Sequence, residues 1–194
     1  MEKLRLGVLG SGKGSNYRAI QEAILRGEVN AETVVVISDV QAAGILEAAR
    51  GYGVSAQYVA PGRFKTKLEP GAEERVTRLL KEAGVDLVVL AGYMRMVKEP
   101  LLGAFAGCIV NIHPSLLPAF PGLEAWKQAL AAGVAETGCT VHYVDSGMDS
   151  GEIIAQSEVP ILPGDTAESL HARIQVAEHA LYPEVIRKLG SCQR

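Results

Sequence analysis

The 194-residue chain is predicted to be an α/β protein: a doubly wound, mostly parallel sheet with an antiparallel strand near its C-terminal part and a long C-terminal helix. Three observations carry that prediction. An apolar stretch at residues 4–9 runs into a glycine-rich loop and then a helical repeat, which makes the first half of a βαβ unit. A continuous apolar run at 86–91 has the pattern of a strand covered on both faces. Two later apolar segments, 140–144 and 153–159, have no helix between them and are read as antiparallel partners at the far side of the sheet.

The elements follow in order. Residues 4–9 form the first strand, interrupted by Arg5, and feed Gly10-Ser11-Gly12-Lys13-Gly14-Ser15-Asn16. In 17–26 the spacing of Ile20, Ala23 and Ile24 is helical, and Gly27 is a suitable stop. A β-branched strand at 33–38 precedes a helix at 41–50 closed by Gly51, and 57–59 is a short strand. Residues 63–71 are polar and irregular. The 72–83 segment turns Val76, Leu79 and Leu80 to one side and ends at Gly84. After the 86–91 strand comes Gly92-Tyr93-Met94-Arg95-Met96-Val97, a strand exit that suits an aromatic ligand as readily as it suits plain core. Residues 108–113 form a short central strand, 115–122 a proline-punctuated loop and 124–132 a short helix. Thr140, His142 and Val144 alternate onto one face, and 145–151 is turn-rich. Asp165 with Glu168 reads as a capping box for a helix through about 189, with Leu170, Ile174, Ala177, Leu181 and Val185 as its apolar stripe and Gln175 with Glu178 on another face.

Composition narrows the function. Hydrophobic residues make up 48% and charged residues 21%, ordinary globular usage that fits one domain over 1–194. A net charge of −3 provides no basic field for nucleic acid or an anionic membrane, so a phosphate must be held locally. The three cysteines are far apart with no CxxC pair, which suggests neither a disulfide framework nor a thiolate metal site. The N-terminus shows no apolar secretory core, so a cytoplasmic setting is expected. Residues 100–123 contain no Asp, Glu, Lys or Arg, yet the prolines at 100, 114, 118 and 121, with Asn111 and His113 among them, argue against a membrane span. Small molecules are the expected partners, with no nucleic acid and no membrane, and the chain is expected to be a monomer or homodimer.

The glycine loop falls short of two familiar motifs. Gly7 to Lys13 begins a Walker A loop but places Gly14 where the hydroxyl belongs, and Gly10-Ser11-Gly12 begins a dinucleotide fingerprint but places Ser15 where the last glycine belongs. Both share a physics that survives here: glycines permit close backbone approach, and free N–H groups at a helix start favour an anion. Ser15 and Asn16 are also good helix caps.

The central strand carries the chemistry. Alternation puts Asn111 and His113 on one face at its C-terminal end, and Pro114 stops it. A carboxylate from the 145–151 loop, Asp149, folded beside His113 would orient the ring and favour its charged form. Asn111 would add a neutral donor. That set suits a reaction in which negative charge develops on a carbonyl oxygen. No serine or cysteine stands with these groups as a nucleophile, so the substrate itself must supply it, as in direct acyl transfer. His113, His142 and Asp149 are possible metal ligands, but they lack a ligand spacing and Asn111 is a poor ligand, so no metal is expected.

Through Gly12-Lys13-Gly14-Ser15-Asn16, Leu90-Ala91-Gly92-Tyr93-Met94-Arg95, Asn111-Ile112-His113-Pro114-Ser115-Leu116-Leu117-Pro118, Met148-Asp149-Ser150-Gly151 and 175–182, the chain resembles the phosphoribosylglycinamide formyltransferases. These are folate-dependent, Rossmann-like formyltransferases of purine biosynthesis. The resemblance implies Asn111, His113 and Asp149 as the catalytic trio and 10-formyltetrahydrofolate as co-substrate. It implies that Gly14, Ser15, Asn16, Gln175 and Glu178 hold the ribonucleotide. Lys67, Met94, Arg95, Met96, Val97, Asn111 and Val144 would border the folate. Lys67 stands where the family has an arginine, and lysine cannot make the same forked contact. Formyltetrahydrofolate deformylase and methionyl-tRNA formyltransferase share the Asn-x-His and Asp core, but each normally carries a further domain for which this chain has no room. A non-catalytic phosphate-ligand binder would need the glycine loop but not the trio.

Overall fold

The structure, a computed structural model, describes residues 2–192, the side chains of Ser191 and Cys192 excepted. Thirteen elements follow the chain: β1 (Leu4–Leu9), α1 (Ser15–Leu25), β2 (Ala31–Ser38), α2 (Gly44–Gly51), β3 (Ser55–Tyr58), α3 (Pro70–Glu82), β4 (Leu87–Leu90), α4 (Leu101–Ala104), β5 (Ile109–His113), α5 (Ala125–Ala132), β6 (Glu136–Tyr143), β7 (Ile153–Pro160) and α6 (Ala167–Cys192).

The strands form one seven-stranded sheet in the order β3-β2-β1-β4-β5-β6-β7. The pairs through β5 are parallel, whereas β6 runs against both β5 and β7. The chain order reverses direction between β1 and β4, so the C-terminal ends of these strands open a crevice there. Alternation divides the strand side chains between two cores. Leu6, Val8, Val89, Val110 and Ile112 join α1, α2 and α6 on one face; Leu9, Val88, Leu90 and Ile109 join α3 and α4 on the other. Asn111 and His113 therefore leave β5 toward the second face, as the alternation predicts.

Several boundaries differ from expectation for local reasons. The first helix begins at Ser15 after Gly14, whose φ of +79° suits glycine and whose side a Cβ would drive to within 2.8 Å of Ile45. Neither Ser15 nor Asn16 is its cap: Gly14 occupies that position without a side-chain cap, and the Asn16 side chain is engaged elsewhere. The predicted Asp165–Glu168 capping box is replaced by Thr166 and Ser169, each of whose side chains accepts from the other's backbone N–H. Asp165 instead takes the Arg173 guanidinium in a two-pronged contact at 2.8 Å. The sixth strand starts four residues earlier than the 140–144 reading, because Thr137 to Cys139 pair with β7, and Val144 lies beyond its end. The short α4 was not anticipated.

Candidate active site

The crevice is a cleft of about 780 Å³ lined by the glycine loop, the 90–97 exit of β4, the end of β5, the loops at 122–124 and 144–149, and the inner face of α6. Every proposed site residue except Lys67 borders it. Lys67 pairs through its backbone with Met96, but its ammonium sits 4.8 Å from the Phe64 ring in an adjoining hollow of about 610 Å³. Arg95 does border the cleft, yet its guanidinium is engaged with Asp39 at 2.7 Å and with the carbonyls of Phe64 and Lys65.

At the end of β5, four side chains converge. Asp149 comes from the 145–151 loop, held in the left-handed region at φ +52°, and its Oδ2 lies 3.4 Å from His113 Nδ1. The backbone N–H of Gly122 donates to the same oxygen at 2.9 Å. On the other side of the ring, His113 Nε2 donates to the Phe120 carbonyl at 2.9 Å. The loop at 114–120 is folded so as to present that carbonyl, with Ser115 Oγ donating to the Ala119 carbonyl and Thr140 Oγ1 to the Ser115 carbonyl. His113 is thus nearly enclosed, at 5% exposure, with an acceptor facing each nitrogen.

The fourth member is His142, which the sequence reading weighed only as a metal ligand. Antiparallel pairing sets it directly opposite Asn111. Its Nδ1 donates to the Tyr143 carbonyl at 2.7 Å, and its Nε2 lies 3.2 Å from Asn111 Nδ2 and 3.8 Å from Asp149 Oδ1. Burial pushes its pKa below the ordinary histidine value, against the opposing pull of Asp149.

The glycine loop lines another part of the same cleft. Glu178 from α6 is buried there and accepts from Asn16 Nδ2 at 2.9 Å. Removal from water pushes its carboxyl up to about 7, and the Asn16 bond only partly offsets that. Asn16 Oδ1 is buried without a hydrogen-bond partner among the described residues. Trp126 and His171 stack at 3.8 Å on the same wall, a pair with no motif in the sequence to announce it. Beneath, Ser11 Oγ accepts from the Met94 N–H and donates to Asp39, which also binds Arg95, so the glycine loop and the 92–97 loop are joined.

The formyl transferase family model matches residues 4–186. The phosphoribosylglycinamide formyltransferase of Bacillus subtilis is 41% identical over 185 residues, covering 95% of this chain and 94% of its own. The trifunctional purine biosynthetic protein adenosine-3 of Drosophila pseudoobscura pseudoobscura is 47% identical over 96% of this chain, which spans 14% of that longer protein. Among solved structures, glycinamide ribonucleotide transformylase 1 from Symbiobacterium toebii superposes with a TM-score of 0.93 at 48% identity, covering 98% of this chain and 89% of that one.

Proposed function

This chain belongs to the formyl transferase family, and from that membership we propose that it transfers the formyl group of 10-formyltetrahydrofolate to the amine of glycinamide ribonucleotide. It would act as a single phosphoribosylglycinamide formyltransferase domain over residues 1–194, in the cytoplasm, on small molecules. The observation that carries the reading is the meeting, in one cleft, of an anion-binding helix start and an amide–imidazole–carboxylate cluster.

Two parts of the cleft suit the two substrates. Backbone N–H groups of Gly14, Ser15 and Asn16 at the start of α1 take the phosphate. Glu178, Asn16 Oδ1 and Gln175 face the rest of the ribonucleotide. The border from Met94 to Val97 with Val144 takes the flat pteridine, with Arg95 held by Asp39 and Lys67 in the adjoining hollow flanking it.

The amine of the ribonucleotide is the nucleophile. As it adds to the formyl carbon, Asn111 donates from Nδ2 to the oxygen on which charge accumulates. His113 donates from Nε2, the N–H now held by the Phe120 carbonyl, which the substrate oxygen must share or take over. Asp149 stabilises the charged ring and orients it. Each such donor is typically worth ~3 kcal/mol of transition-state stabilisation. The attacking nitrogen gives up a proton and the departing folate nitrogen takes one up, with Asp149 relaying it through water, so no side-chain nucleophile is required.

A spectroscopic assay of deformylation of 10-formyltetrahydrofolate, with and without glycinamide ribonucleotide, tests the proposal. Turnover is expected only when the ribonucleotide is present. Equal turnover without it assigns the chain to the hydrolases, and phosphate-ligand binding with no turnover at all makes it a binder.

A further inference from the structure

We propose that His142 is a positioning residue for the transfer: its Nε2 lone pair accepts from Asn111 Nδ2 and so fixes which edge of the Asn111 amide faces the formyl oxygen. The inference rests on the role proposed for Asn111.

An asparagine amide is nearly symmetric in shape but opposite in chemistry at its two ends. Turned by half a rotation, it would present a carbonyl oxygen to the developing oxyanion, and the site would repel what it must stabilise. Something has to decide the orientation. The Tyr143 carbonyl, which can only accept, lies 2.7 Å from His142 Nδ1 and therefore places the ring proton there. Nε2 is left as an acceptor, and at 3.2 Å it can be satisfied by the amide N–H2 but not by the amide oxygen. The second N–H of Asn111 is then directed away from His142 and remains for the substrate. Cross-strand register holds the pair in place, since Asn111 and His142 oppose each other across β5 and β6, and His142 is 2% exposed, with no room to turn away.

The groups facing His142 pull in both directions. The Tyr143 carbonyl, Asp149 at 3.8 Å and Asp145 favour a second proton on the ring, whereas burial and the nearby His113 oppose it. Burial leads, so the ring is neutral at pH 7. On acidification Nε2 becomes a donor, the bond to Asn111 Nδ2 is lost, and the amide is free to turn over. Acid should therefore lower the turnover rate through Asn111, without any change at the phosphate end.

The experiment compares His142→Leu and His142→Gln in the full chain, each alone and with Asn111→Ala. Leucine removes the acceptor, whereas glutamine supplies an amide oxygen that does not titrate. His142→Leu is expected to lower kcat by roughly 10- to 100-fold with KM for the ribonucleotide changed little, a part of the loss that follows removal of an oxyanion donor. His142→Gln should recover most of that loss and flatten the acid limb of the kcat profile. In the Asn111→Ala background, His142→Leu should cost less than about threefold, because no amide remains to orient. Unchanged kcat in His142→Leu overturns the proposal, as do equal losses for Leu and Gln, or full losses in the Asn111→Ala background. Thermal melting of each variant separates misfolding from misorientation, and for a variant that melts early the ring ¹⁵N shifts of the intact protein decide: an Nε2-protonated neutral ring overturns the proposal. If the unmodified chain transfers no formyl group, the functional reading itself has failed, which is a different result.

Discussion

Glu178 shows how far burial alone can set the behaviour of one residue. Its carboxyl is pushed up to about 7, above the usual carboxylate range, so the folded chain binds a proton that the unfolded chain has released. Between pH 4.5 and 7 stability must therefore fall as pH rises, by up to roughly 3 kcal/mol. Glu178→Gln should flatten that dependence and melt higher than the parent at pH 8; parallel melting curves across this range would contradict it. For His113 the expected change is in rate: His113→Ala should lower kcat by about 10²- to 10⁴-fold while phosphate-ligand binding persists, as measured by steady-state kinetics and calorimetry. The Asn111–His113 pair could be read from the sequence because strand alternation is a local rule. The contribution of His142 could not, since it arises from a partner thirty-one residues away, and the register of an antiparallel pair is not written in either strand alone.

At the scale of elements, apolar spacing located the strands and long helices, and packing explains where the boundaries moved. α6 is the clearest case. Leu170, Ile174 and Val185 of the predicted stripe are fully buried against the sheet, and the helix carries Gln175 and Glu178 to the cleft from the same scaffold. Ile174→Ala should cost about 2–5 kcal/mol, read from the urea midpoint, because the cavity it leaves lies under a long rigid element that cannot collapse into it. Its start was misassigned because Asp165, a good cap in isolation, is drawn into its contact with Arg173. That preference depends on a residue eight positions on. The four-residue α4 escaped notice because a single turn has no period to detect. Lys67 and Arg95 show the same limit, since the sequence placed both near the folate but could not show that one guanidinium would be taken by Asp39.

For the whole molecule, the sheet order puts the start of α1 and the end of β5 at the same rim, although nearly a hundred residues separate them. A ligand that reaches both should stabilise the fold as a unit. At about 100 times its Kd, glycinamide ribonucleotide should add ~2.7 kcal/mol and raise Tm by roughly 5–10 °C for a chain of this size; an unmoved Tm would mean that the rim is no binding site. The fold class followed from the alternation of strands and helices, but this convergence depends on topology that no segment declares. The Ser11–Asp39–Arg95 contacts add a mechanical constraint. They tie the glycine loop to the 92–97 loop, so parting those two loops would break all three contacts. Opening is then expected where the 122 and 149 loops are held together through the single bond from Gly122 N–H to Asp149. Unlatching them to let product out also withdraws the carboxylate from His113, so the channel cannot stand open while the imidazole is fully braced.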